Sequence, residues 1–214
     1  MRRILLTLAL ALPLFAVAQT TAPYGIFVSQ KQGTIDWPAV QEQNDLQFVY
    51  VMATEGAAKA DSRCGANLSQ AAKSGFPVGA VHRYSRKYSA EGQFANFEAA
   101  VKGNKMRLTP IVQVIPDAPY DINIKRLDLL LGLMEKKYGV KPAIMCTPDT
   151  YLKYFSIERY ASYHMLIVSN GLKFPVTRYT VWQYTDQEKV AGIIEYVPGL
   201  KLHPTYKVAS LETK

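Results

Sequence analysis

Residues 24–56 read YGIFVSQKQGTIDWPAVQEQNDLQFVYVMATEG. Two apolar runs stand in it, Tyr24 to Val28 and Phe48 to Ala53. Both have strand length and no polar face, which predicts strands buried on both sides in a parallel sheet. Between them, Asp36 is placed to cap a helix, with Pro38 in its first turn. Polar residues follow each strand: Ser29 to Gln32, then Thr54 and Glu55. An α/β barrel carries its chemistry at such strand ends.

The same alternation continues downstream. Arg63 to Ser74 predicts a helix with a narrow apolar face and Gly75 as its stop. Pro77 to Val81 predicts a third strand, ending at His82-Arg83-Tyr84. Ser89 caps a helix that carries Phe94, Phe97 and Val101. Leu108 to Ile115 predicts the fourth strand. Asp121 to Tyr138 is the clearest helix, with Leu127, Leu130, Leu131 and Met134 on one stripe and Gly139 at its end. Strands follow at Lys141 to Thr147, Met165 to Ser169, Tyr179 to Tyr184 and Ile193 to Val197, with a short helix over Pro148 to Phe155. Eight strands alternating with helical stretches, without repeat or linker, predict an α/β fold closed as one barrel.

Residues 1–18 have the organisation of a signal peptide: Arg2 and Arg3, an apolar core from Ile4 to Val17, and Ala16-Val17-Ala18 for cleavage. An uncleaved anchor is the alternative, though the core is short for a membrane span. Cleavage of 18 from 214 residues leaves 19–214, one domain with no membrane span, exported to a periplasm or the extracellular space. Two of the 25 basic residues lie in the leader, so the remainder holds 23 basic against 17 acidic side chains, a formal +6. That charge favours anionic partners or serves solubility. Export and the lack of basic–aromatic clusters argue against nucleic acid. Cys64 and Cys146 are the two cysteines, either bridged after export or buried as thiols. The three histidines are scattered, with no metal-ligand spacing, nucleophile elbow or phosphate-binding loop, so neither metal nor cofactor is expected.

The stretch 24–56 resembles the opening of glycoside hydrolase family 25, the lysozymes (muramidases) that cut peptidoglycan. Members open with a G-I-D-V-S strand, a Q/N-G turn, I-D-W, and a strand ending in A-T-E-G. The matches are Gly25-Ile26, Val28-Ser29, Gln32-Gly33, Ile35-Asp36-Trp37 and Ala53-Thr54-Glu55-Gly56. Later matches are Pro77 to Ala80 with His82, Pro142-Ala143-Ile144, Val181 to Thr185, Val190 and Gly192-Ile193. The resemblance spans almost all of 19–214. It implies a single (β/α)8-like barrel, a modified and somewhat flattened TIM type, acting on peptidoglycan or another cell-wall glycan.

Cleavage of a glycosidic bond normally takes two flanking carboxyl groups. The resemblance implies four acids: one in the first strand, a D-x-E pair closing the fourth, and a late Asp. Aligned one at a time, these fall on Phe27, Gln113, Ile115 and Pro198. Phe, Ile and Pro carry no ionisable side chain and Gln does not ionise, so no catalytic residue is expected at these positions. Glu55 and Asp117 are the fallback candidates. What remains of a saccharide site is Ser29, Gln32, Glu55, His82, Trp182, Gln183 and Tyr184, with aromatic faces for sugar rings and polar groups for hydroxyls. His82 and Trp182 read equally well as core residues. Three functions stay open: an inactive lysozyme-like glycan binder, a muramidase with relocated carboxylates, and an envelope protein-interaction module or inhibitor.

Overall fold

The computed structural model describes residues 23–43, 45–116, 121–171 and 178–213. The leader 1–18 and Asp117 lie outside the described residues. Eight strands close a barrel in the order β1 (Tyr24–Val28), β9 (Val197–Leu202), β8 (Val181–Glu188), β7 (Met165–Val168), β6 (Ala143–Cys146), β5 (Ile111–Gln113), β4 (Val78–Arg83) and β2 (Leu46–Glu55). β1 pairs in parallel with β2, from Gly25 opposite Phe48 to Val28 opposite Val51, and so closes the ring. The short strand β3 (Lys59–Ala60) folds back on the end of β2 as a hairpin outside the ring.

Helices α1 (Trp37–Gln43), α2 (Cys64–Lys73), α3 (Ala90–Val101) and α4 (Ile124–Tyr138) connect the early strands. Their ends follow from the sequence. Asp36 Oδ1 accepts the Ala39 N–H, and Ser89 Oγ accepts the Gly92 N–H, both as expected of N-caps. α4 begins at Ile124 rather than Asp121, because Asn123 Oδ1 takes the Arg126 N–H at 3.1 Å and so sets the cap. Gly139 closes α4 in the left-handed region at φ 70°, returning its N–H to Glu135. After β6, helix α5 (Pro148–Thr150) continues as a π turn over Tyr151–Phe155.

The strands alternate between two cores. Phe48, Tyr50, Val81, Ile111, Met145, Leu166 and Val181 fill the barrel interior, while Val49, Val51, Ala80, Val112, Ile144 and Ile167 pack against the helices. Both faces are buried, so the strands read as unbroken apolar runs.

Two expectations about the strands change. The fourth strand is three residues long, not Leu108 to Ile115: Pro110 cannot donate to a ladder, and Leu108 pairs with Glu212 of the C-terminal tail. The last strand is Val197–Leu202, not Ile193 to Val197, and it runs antiparallel to both β8 and β1. The connection 189–196 is shorter than the roughly dozen residues a parallel crossover requires, so the chain reverses. Ile193 sits in a turn instead, its N–H on Val190 O. The sheet is therefore mixed. Cys64 and Cys146 are buried separately as thiols, with no bridge, and burial pushes both up to about 12.

Candidate functional site

The C-terminal ends of β1, β2, β4 and β5 and the start of β9 surround a cleft of about 610 Å³. The strand period of two decides which side chains reach it. On β4, Gly79, Val81 and Arg83 face inward and His82 faces outward. On β8, Gln183 faces the mouth and Trp182 and Tyr184 point away. Phe27, Gln113 and Pro198 line the cleft; Ile115, two residues beyond the end of β5, is 44% exposed and does not.

A row of polar side chains crosses the floor. Arg83 Nε donates to Gln113 Oε1 at 2.9 Å. Its Nη1 lies 3.6 Å from Glu55 Oε2, and Lys59 Nζ donates to Glu55 Oε1 at 3.0 Å. The β2–β3 hairpin that carries Glu55 and Lys59 is pinned by Asn96 of α3, whose Nδ2 donates to Gly56 O and Lys59 O. Gly56 turns the hairpin at φ 56°, with the Tyr88 ring against its Cα.

One wall is the loop after β1. Ser29 and Gln32 form a capping box: Gln32 Oε1 accepts from Ser29 N and Oγ, and Gln32 Nε2 donates to Tyr196 O at 2.9 Å. Asp61 accepts from Gln30 N and Arg63 N, and Gln30 Oε1 takes Ser62 N and Oγ. The expected ligand groups Ser29 and Gln32 thus spend their polar atoms on building the wall. Asp186, on β8, also lines the cleft; it is exposed and makes no ion pair among the described residues.

The structure brings Ser29, Gln32, Glu55 and Gln183 to the cleft, and leaves three expected ligand residues outside it. His82 has 0% exposure and sits between the barrel wall and α3. Its Nδ1 accepts from Thr54 Oγ1 at 2.7 Å, and its Nε2 faces Gln93 Oε1 at 3.2 Å, which also accepts the Ser85 N–H. Burial pushes its pKa down to about 4, so the ring is neutral near neutral pH. Trp182 lies in the outer core with Nε1 on Ser169 O. Tyr184 lines a separate hollow with Tyr24, Glu188 and Lys201. Sequence reasoning missed Arg83, Lys59, Asp61, Asp186 and Tyr196 as cleft residues. The inward register of Gly79, Val81 and Arg83 was the available signal for the first of them.

Three cations (Lys31, Lys59, Arg83) and three carboxylates (Glu55, Asp61, Asp186) line the cleft among the described residues. No cluster of three or more metal-ligating side chains forms among those residues. The arrangement suits a polar ligand, with Phe27 and Tyr196 as the aromatic side chains lining the cleft.

Comparison with known proteins places this architecture. The uncharacterized protein YegX of Escherichia coli K12 is 28% identical over 183 residues, covering 79% of this chain and 65% of YegX. The chain therefore spans just under two thirds of that relative's length. Lysozyme M1 of Streptomyces globisporus is 37% identical over 75 residues, 35% of this chain and 25% of that protein. Among solved structures, a family 25 glycosyl hydrolase from Bacillus anthracis aligns with a TM-score of 0.77 at 27% identity, covering 87% of this chain and 91% of that one. A lysozyme from Streptomyces coelicolor shares the fold, with a TM-score of 0.75 at 21% identity over 90% of this chain and 96% of its own. The family model of glycosyl hydrolases family 25 matches residues 26–193, and the chain belongs to that family.

Proposed function

We propose that this chain is an exported, lysozyme-like protein that binds peptidoglycan or a related cell-wall glycan in the barrel-end cleft without hydrolysing it. The observation that carries this reading is the floor of the cleft: Gln113, where the resemblance to family 25 calls for an acid, is held by Arg83. A substrate there meets an amide and a guanidinium, neither of which supplies a carboxylate, and Ile115, where the resemblance puts the proton-donating acid, has no ionisable group. Phe27 and Pro198 offer no substitute. Glu55 is engaged as counter-ion to both Arg83 and Lys59. Membership of family 25, together with the likeness to lysozyme M1 and to the Bacillus anthracis family 25 glycosyl hydrolase, supports this class of ligand.

A second reading has its own observation. Glu55 and Asp186 line the same cleft, and Asp186 is unpaired among the described residues. Two carboxylates in one cleft are the raw material of a relocated hydrolytic pair. Asp117, the other fallback, lies outside the described residues.

The test is incubation of residues 19–214 with purified peptidoglycan, read as new reducing ends and as sedimentation with the wall. Co-sedimentation without new reducing ends is expected. Release of soluble fragments that Glu55→Gln or Asp186→Asn abolishes overturns the non-hydrolytic reading. Neither release nor sedimentation turns the search to a protein partner.

A further inference from the structure

Arg83 presents its guanidinium to the cleft. It rises at the end of β4 into the cleft, and its Nε is committed to Gln113 at 2.9 Å. Its contact with Glu55, at 3.6 Å, is an ion pair beyond hydrogen-bond length. The remaining guanidinium N–H groups have no hydrogen-bond partner among the described residues, and the side chain is 40% exposed. A guanidinium fixed at Nε with its Nη edge open is a planar fork of matched donors, the geometry that receives a carboxylate through two parallel bonds.

The charges around it agree. Glu55 is one anion shared between two cations, Arg83 and Lys59, and the Lys59 side chain is 74% exposed. This corner therefore carries a local excess of one positive charge. Asp61 keeps its charge but turns its oxygens into the loop, on Gln30 N and Arg63 N, and forms no ion pair with Arg83 or Lys59. Over the whole cleft the three cations and three carboxylates balance, so the excess of one is local to the Arg83–Lys59 corner.

We infer that the Arg83 edge is a carboxylate subsite, and that the cleft takes a saccharide bearing a carboxylate in preference to a neutral one. The incoming carboxylate takes the open Nη edge of Arg83, while Glu55 keeps its shorter bond to Lys59. Gln113 acts as the positioning residue that holds the fork upright. This inference rests on the glycan-binding reading above.

The experiment is titration calorimetry with four soluble probes of equal length. They are an N-acetylglucosamine oligomer, an oligomer with N-acetylmuramic acid bearing free carboxylates, the same oligomer with its carboxylates amidated, and one carrying a peptide stem with free carboxylates. A carboxylate-bearing probe is expected to bind about tenfold or more tightly than the amidated one at low ionic strength. Which of the two does so identifies the source, sugar or stem. Arg83→Gln abolishes the advantage, Arg83→Lys loses most of it by keeping the charge without the fork, and Glu55→Gln enlarges it. Equal binding of free and amidated probes, or a preference surviving in both Arg83 variants, overturns the subsite. If the neutral oligomer binds as well as the acidic one, the subsite fails and glycan binding stands. If no probe binds, both fail.

Discussion

At the end of β4 two neighbouring residues leave the wall in opposite directions, and their chemistry follows from that. Arg83 enters the cleft, while His82 is buried against α3 between Thr54 and Gln93. His82 has its pKa pushed down to about 4 by burial, from an ordinary 6.5. Between those values the unfolded chain binds a proton that the folded chain refuses. Stability is therefore lost as pH falls below about 6.5, and the loss is complete near pH 4. The shift corresponds to roughly 3 kcal/mol. Thermal unfolding at pH 7 and pH 4 should show this drop. His82→Gln should lower stability at pH 7 and flatten the pH dependence. A wild-type Tm that does not move between the two pH values contradicts the neutral, buried assignment. Gly25 makes a different kind of demand: an added Cβ would stand 2.4 Å from the Phe48 ring inside the barrel. Gly25→Ala is expected to cost about 1–3 kcal/mol in denaturant unfolding.

α4 shows an element whose position depends on one face. Leu127, Leu130, Leu131 and Met134 are fully buried, and the Asn123 cap and Gly139 stop fix its length. Leu131→Ala should cost about 2–5 kcal/mol, read from urea midpoints, with peptidoglycan binding retained in the folded fraction. The turn before β9 is fixed by close approach. Gly192 has φ +88°, its O accepts the Asp36 N–H, and a Cβ there would lie 2.5 Å from Asp36 O. Gly192→Ala must push α1 and this turn apart, so a destabilisation of about 1–3 kcal/mol is expected, seen as a lower unfolding midpoint.

The barrel is sealed at the end away from the cleft by its own C-terminal tail. Leu211 is buried in the interior core with Leu108 and Leu202, Thr109 N donates to Leu211 O at 2.7 Å, and Arg107 pairs with Glu212 at 2.8 Å. Leu211→Ala should lower Tm by roughly 5–15 °C, since a buried leucine removed from a chain of this size costs several kcal/mol. The cleft stands at the opposite ends of the strands, so glycan binding by the folded variant should be unchanged. A loss of binding in step with cleft variants would show that the two ends are coupled.

The chain order of strands and helices, the caps at Asp36, Ser89 and Gly139, and the α/β barrel itself were legible in one dimension. Each depends on local periodicity, capping chemistry or the resemblance of residues 24–56 to family 25. The direction of β9 was not legible: it follows from how few residues separate it from β8, a constraint visible only once β8 was known to run to Glu188. The site was half legible. Phe27, Gln113, Gln183, Ser29, Gln32 and Glu55 reach the cleft from their strand ends as the sequence implied. His82, Trp182 and Tyr184 do not, because alternation along β4 and β8 turns them outward. The row from Gln113 through Arg83 and Glu55 to Lys59 joins three strands and a hairpin far apart in sequence. Only the pairing of β2, β4 and β5 brings those side chains within bonding distance: its register sets Glu55 opposite Arg83 and Arg83 opposite Gln113, and the β2–β3 hairpin returns Lys59 beside Glu55. So it was for tertiary structure to decide what stands on the floor of the cleft.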